Sequence, residues 1–215
     1  MTSIGSLTED AAEKRRRRSR AGRFANDSEA AEPADCTLLR LRGLGTCQNL
    51  EKPYLRLTAP PHASTVRPPA VLARSLALVK ARWKAAPNYL WACEQLKSIR
   101  QDLTVQHVLS PLAVDVYETH GRVALESGDL AEFQSCAGVL KELHASTGSG
   151  SPAEFAAYRL LHSLSQPGCE TFAAELRDVD AACRRHEFVR HAVAASAALR
   201  SGNAAAFFRL YRQSP

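Results

Sequence analysis

The chain has 215 residues, 45% hydrophobic and only 7% aromatic, which is enough for one sizeable core and little beyond it. Its six cysteines, Cys36, Cys47, Cys93, Cys136, Cys169 and Cys183, show no CxxC spacing, and no apolar run marks a secretion signal or a membrane span. The sequence therefore reads as a soluble intracellular protein with reduced thiols and no membrane partner. Its formal charge of +6 invites a nucleic-acid reading, but "KRRRRSRAGR" (14–23) alone holds seven cations, and residues 26–215 carry 21 basic against 19 acidic side chains. The folded part is nearly neutral.

Residues 1–44 lack any sustained hydrophobic period and read as a disordered basic tail. Within it Lys14, Arg15, Arg16, Arg17, Arg18 and Arg20 form a candidate nuclear-import signal, which places the protein in the nucleus; a nonspecific RNA-contacting arm is the other use of such a cluster. Residues 45–69 are rich in proline, and "RLTAPPHASTVRPPAVL" (56–72) predicts an extended wrapping segment with no room for a helix before Pro69.

From residue 70 to 215 the apolar period becomes 3.6. Leu72, Leu76, Val79 and Trp83 make one helical face; after Pro87, Tyr89, Ala92, Leu96, Ile99 and Leu103 make the next. "SPLAVDVYETHGRVALESG" predicts a helix with Ser110 as N-cap and Pro111 at its first position, ending at Gly128, and the helix after it puts Leu130, Phe133, Ala137 and Leu140 on one side. "SGSPAEF" reads as a capping box of Ser151 and Glu154, and later faces comprise Phe172, Leu176, Val179 and Cys183, then Phe188, Ala192, Ala195 and Leu199.

"ALESGDLAEFQ" (124–134) and "ALRSGNAAAFF" (198–208) repeat one pattern, a corner glycine followed by a phenylalanine in the next helix, with "SQPGCETF" (165–172) near halfway between them. That spacing fits helix pairs of roughly 34 to 40 residues, each burying its face against the next. The expected fold is all-α, a right-handed, tetratricopeptide-like helical-repeat solenoid of about eight helices.

The most polar helix, "ACEQLKSIRQDLTVQHV" (92–108), sorts its polar residues by side: Lys97, Arg100 and Thr104 on one shoulder, Gln95, Asp102 and Gln106 on the other. A helix flanked on several sides has semi-buried shoulders that need hydrogen bonds, so this one reads as a wedge clamping its neighbours and the extended "EKPYLRLT" to "STVRP" segment. The competing reading is an exposed RNA face using Lys97 and Arg100.

"GTCQNLEKPYLRLT", "STVRPPAVL", "QLKSIRQDLTVQ", "VYETHGRVALESGDLAEF", "EFAAYRLL" and "FFRLYRQ" resemble, in order and spacing, the domain of the Sac-three/GANP/Thp-three family, on its Thp-three-like branch, over residues 45–213. The resemblance implies a PCI-type helical scaffold in nuclear mRNA maturation and export, partnered by a second PCI-domain protein and a small acidic Sem-one/Dss-one-type peptide. It singles out Glu51, Lys52, Tyr54, Arg56, Arg67, Arg100, Asp102, Gln106, Tyr117 and Glu118 as structural or partner-binding candidates. Family members continue past the "FFRLYR" helix into a winged helix; this sequence stops at Pro215, so winged-helix functions are not carried over.

Enzymatic readings find little support. In "HEFVRH", His186 and His191 are five apart, about 140° round a helix, and cannot face one metal as HExxH requires. Cys93, Cys136, Cys169 and Cys183 fall at or beside apolar positions and read as core filler, and His120 and His162 as core or shoulder histidines. "GLGT" (43–46) lacks the Lys and Ser/Thr of a phosphate-binding loop. The sequence predicts no cofactor, metal or small-molecule substrate. Two functions remain: a partner-binding scaffold, and an RNA-binding module in which the tail, with Arg56, Arg67, Arg74, Lys80, Lys84 and Lys97, tracks phosphates.

Overall fold

Prolines and small polar caps set where the helices start. The computed structural model describes residues 44–166 and 169–215; the import candidates Lys14, Arg15, Arg16, Arg17, Arg18 and Arg20 lie outside them. Among the described residues there are nine α-helices: α1 (Pro69–Ala85), α2 (Tyr89–Val105), α3 (Pro111–Glu126), α4 (Leu130–Thr147), α5 (Pro152–Ser163), α6 (Cys169–Asp178), α7 (Ala181–Arg185), α8 (Glu187–Arg200) and α9 (Ala204–Arg212). A short 3-10 turn at Ala63–Thr65 precedes α1, and these residues include no strand. Proline occupies the first turn of α1, α3 and α5, where its missing N–H costs nothing.

The ninth helix arises from a break the hydrophobic period conceals. Phe172, Leu176, Val179 and Cys183 were expected on one helical face, but α6 ends at Asp178 and the Asp180 carboxylate accepts from the N–H groups of Ala182 and Cys183, starting α7 afresh. The capping box at Ser151 also fails to form. Ser151 holds the N-cap position without a side-chain cap bond, because its N–H donates to Glu118 and Glu154 turns away to Arg122.

The repeated corner is one structure used twice. Gly128 and Gly202 take left-handed φ of 77° and 67°. Each is followed by a residue, Asp129 or Asn203, whose N–H bonds back to Ala124 or Ala198 and whose side chain caps the next helix. This is a Schellman ending fused to an N-cap, and the positive φ is what makes glycine the fitting residue there.

Consecutive helices pack together along most of the chain, α1 also reaches α3, and α5 reaches past its neighbours to α8. Two apolar clusters result among the described residues. Leu72, Leu76, Leu96, Ile99, Leu103, Phe133 and Leu140 anchor the first, drawn from α1 to α4. Leu160, Phe172, Val179, Val189 and Ala192 form the second. Helix α5 joins them, giving Phe155 to the first and Ala156, Ala157 and Leu160 to the second. Each fully buried leucine or phenylalanine contributes about 1.5–3 kcal/mol. Two residues expected inside stand out: Leu130 and Leu199 are 43% and 50% exposed, the first at the opening position of α4 and the second at the end of α8.

Candidate functional site

Helix α2 starts at Asn88, whose side chain accepts from the Trp91 N–H, and ends where His107 takes a left-handed φ of 53°. Between these ends its two polar flanks are spent on different neighbours.

One flank holds the extended segment. Asp102 is 1% exposed and accepts from Lys52 Nζ at 2.7 Å and Arg67 Nε at 2.6 Å. Arg67 is wholly buried; its Nη1 donates to the Leu50 carbonyl at 3.1 Å and its Nη2 to Ser98 Oγ at 2.7 Å. Gln95 Oε1 accepts from the Lys52 N–H at 2.9 Å, and Gln101 Nε2 donates to the Leu55 carbonyl at 2.8 Å. Gln106 accepts from the Gly45 N–H and donates to the carbonyls of Arg67 and Asp102. The segment also bonds to itself, Thr46 N–H to Ala63 and Cys47 N–H to Val66. A β-carbon on Gly45 would strike the Val66 carbonyl, so the "GLGT" glycine serves close backbone approach. Glu51 completes this strap, accepting from Trp91 Nε1 at 3.2 Å and lying 3.7 Å from Arg82, which stacks over the Trp91 ring.

The other flank meets α3 and α4. Glu132 takes Lys97 at 2.8 Å and Arg100 at 2.7 Å. Arg100 also donates to Cys136 Sγ and lies over the Tyr117 ring. Burial opposes the charge on Arg100, yet Cys136, Glu132 and Tyr117 outweigh it and hold its pKa above the ordinary value. His120 sits against this cluster, and burial, together with Arg100 and Lys97, pushes its pKa down to about 3, so it stays neutral.

Glu118, from the same candidate set, belongs to a third junction. Its carboxylate faces His144 Nε2 at 2.8 Å, the Ser151 N–H at 2.6 Å and Arg122 at 3.1 Å, tying α3, α4 and the start of α5 together. Burial would raise its pKa, but these partners lower it. Arg122 also grips Glu154, whose pKa this hydrogen bond lowers in turn.

Lys52, Arg67, Asp102 and Gln106 thus come together, as do Lys97, Arg100 and Tyr117; Glu118 stands apart. Arg67 cannot track phosphate as the sequence suggested, because its guanidinium is buried and bonded within the chain. Lys80 is paired with Asp115. Tyr54, Arg56, Arg74 and Lys84 are exposed. Sequence reasoning missed Ser98, Glu132 and Arg122; the Glu118, Arg122 spacing of four was the visible signal for the last.

The features that resembled enzyme motifs have other employment. His186 is the N-cap of α8, accepting from the Phe188 N–H, so it and His191 do not share a helical face. Burial raises the thiols of Cys136 and Cys183 to about 11, which keeps them protonated at neutral pH. Among the described residues no helix is long and apolar enough to cross a membrane.

The profile of the SAC3/GANP family matches residues 49–215. The chain is 46% identical over 192 residues to SAC3 family protein A of Arabidopsis thaliana, which covers 87% of this chain and 18% of the relative. It is 38% identical over 214 residues to a THP3 homolog of Schizosaccharomyces pombe, covering 96% and 52%, and 36% identical over 144 residues to Protein THP3 of Saccharomyces cerevisiae, covering 66% and 31%. It therefore spans about half or less of the length of these relatives. The clamped strap lies almost wholly within the family match, and the chain belongs to the SAC3/GANP family, with yeast THP3 proteins among its relatives.

Proposed function

We propose that the chain is a non-enzymatic scaffold of a nuclear PCI-type complex acting in mRNA maturation, transcription-coupled processing or export. Its partners in this reading are a second PCI-domain protein and a small acidic Sem-one/Dss-one-type peptide. Supporting it is the way the polar side chains of α2 are used: Asp102, Gln95 and Gln106 fasten the strap, while Lys97 and Arg100 fasten α4. Such internal bonding makes a rigid array suited to presenting surface. Leu55, Leu90, Leu109, Phe208 and Tyr211, exposed by 66%, 82%, 71%, 56% and 72%, are among the large apolar side chains that such a surface offers.

The test is affinity purification of the tagged chain from nuclei with nuclease present, followed by identification of what remains. A PCI-domain protein and a small acidic peptide retained after nuclease treatment support the reading; recovery of proteins only through RNA refutes it. RNA binding is the second reading, favoured by the exposed Arg56, Arg74 and Lys84. It predicts that binding weakens steeply as salt rises, in proportion to the phosphates neutralised.

A further inference from the structure

Three helices converge on a group of donors of which the clamp uses only Glu132. Cys93 of α2, His120 of α3 and Glu132 of α4 each place one ligand atom, a thiol sulfur, a ring nitrogen and a carboxylate oxygen, within 4.8 Å of the other two. His120 is fully buried, and neither of its ring nitrogens has a hydrogen-bond partner. An imidazole desolvated on both nitrogens is costly to bury unless something fills that need. Glu132 Oε1 lies 3.8 Å from His120 Nε2 and has no aligned hydrogen bond either, although Arg100 approaches it.

We propose that Cys93, His120 and Glu132 bind one Zn²⁺ ion, which pins α2, α3 and α4 at their junction. A tetrahedral zinc with bonds of about 2.0 to 2.3 Å places its ligand atoms roughly 3.3 to 3.8 Å apart. The His120 Nε2 to Glu132 Oε1 separation of 3.8 Å must shorten by about 0.4 Å, and the separations from the sulfur by no more than about 1.2 Å, to reach that geometry. The mixed sulfur, nitrogen and oxygen set favours zinc over calcium or magnesium, which take oxygen alone. Binding requires Cys93 to release its proton to solvent and coordinate as the thiolate; that charge and the Glu132 carboxylate balance the ion. Cys93 and Glu132 are 8% and 9% exposed and Glu132 Oε1 is itself buried, so the ion enters, and a water reaches the fourth position, as the one-third exposed Lys97 side chain swings aside.

The neighbouring cations set the strength. Lys97 holds Glu132 Oε2 and Arg100 sits at Oε1, so both compete with the metal. Lys97 is one-third exposed and can swing into solvent. Its removal therefore strengthens zinc binding.

The experiment uses the full chain, purified reduced, loaded with Zn²⁺, dialysed against metal-free buffer and assayed for zinc per chain, with Co²⁺ loaded separately to report thiolate ligation by its charge-transfer band. The proposal expects one zinc per chain and a cobalt–thiolate band in the parent. It expects loss of both in Cys93→Ala, at least tenfold weaker binding in Glu132→Gln and several-fold tighter binding in Lys97→Met. Cys47→Ser, altering a thiol on the strap, should behave as the parent. The parent's cobalt spectrum stands whether or not the variants fold. Substoichiometric zinc, cobalt bound without a thiolate band, unaltered binding in folded Cys93→Ala, or weaker binding in Lys97→Met would each overturn it.

Discussion

Replacing Asp102 by alanine removes the acceptor on which the strap depends. The carboxylate is 1% exposed and takes Lys52 and Arg67 on separate oxygens. Lys52 has a way out: its ammonium keeps the Thr65 carbonyl and is one-fifth exposed. Arg67 has none, since its guanidinium is fully buried and retains only the Leu50 carbonyl and Ser98 hydroxyl. Breaking a buried pair by deleting one partner costs about 3–5 kcal/mol. The two bonds Arg67 keeps put this case at the lower end, about 3 kcal/mol. For a chain of this size that is a melting temperature lower by roughly 6 to 12 °C. Thermal melts followed by circular dichroism measure it, and amide exchange locates it. Thr46 and Cys47, whose N–H groups bond across the strap, should exchange faster before the core of α4 does. A melting curve that overlays the parent, or faster exchange spread evenly over all helices, would refute the assignment of Asp102 as the clasp of the strap.

Gly45→Ala should destabilise the same segment, because its new methyl group meets the Val66 backbone; urea titration reads the lower midpoint. His107→Gly should raise stability by about 0.5–1 kcal/mol, since it removes the cost of a β-carbon at a left-handed position, again by urea titration. Glu154 and Glu118 have pKa values lowered in the folded state, so the unfolded chain takes up protons first. Their stabilisation is complete above the ordinary glutamate pKa and is lost as pH falls below it through the folded values. Glu154→Gln should flatten that acid-side loss in melts taken between about pH 6 and 3. Alanine at Arg15, Arg16, Arg17 and Arg18 should move a bulky fluorescent fusion toward the cytoplasm; unchanged nuclear enrichment would refute the import signal.

Helix positions and corners were legible because each rests on a local rule. The apolar period gave the faces of α1 and α2 and most of those of α4 and α8, and the two Schellman corners followed from matching glycines. The break before Asp180 was missed although its signal was present, since an aspartate directly ahead of an alanine pair is a good N-cap and the apolar period simply ran across it. The sorted shoulders of α2 announced that its polar side chains had two destinations. They could not announce which ones, because Lys52 and Arg67 approach Asp102 only through the path of the strap, and Glu132 approaches Arg100 only through the packing of α4. Arg67 shows the limit most clearly: an arginine between valine and proline in an extended stretch looks like an exposed cation, and it is the largest fully buried side chain described. Cys93, His120 and Glu132 were invisible as a group for the same reason, each on a different helix with no spacing to mark it.

The polar shoulders of α2 either hold the array together or present charge to RNA. Arg100→Ala decides between these when its melting curve and its affinity for single-stranded RNA across a salt series are measured on the same preparation. The structural role predicts a lower melting temperature, from the loss of contacts to Glu132, Cys136 and Tyr117, with the salt slope of RNA binding unchanged. A parent-like melting curve combined with weaker RNA binding and a flatter salt slope would contradict it.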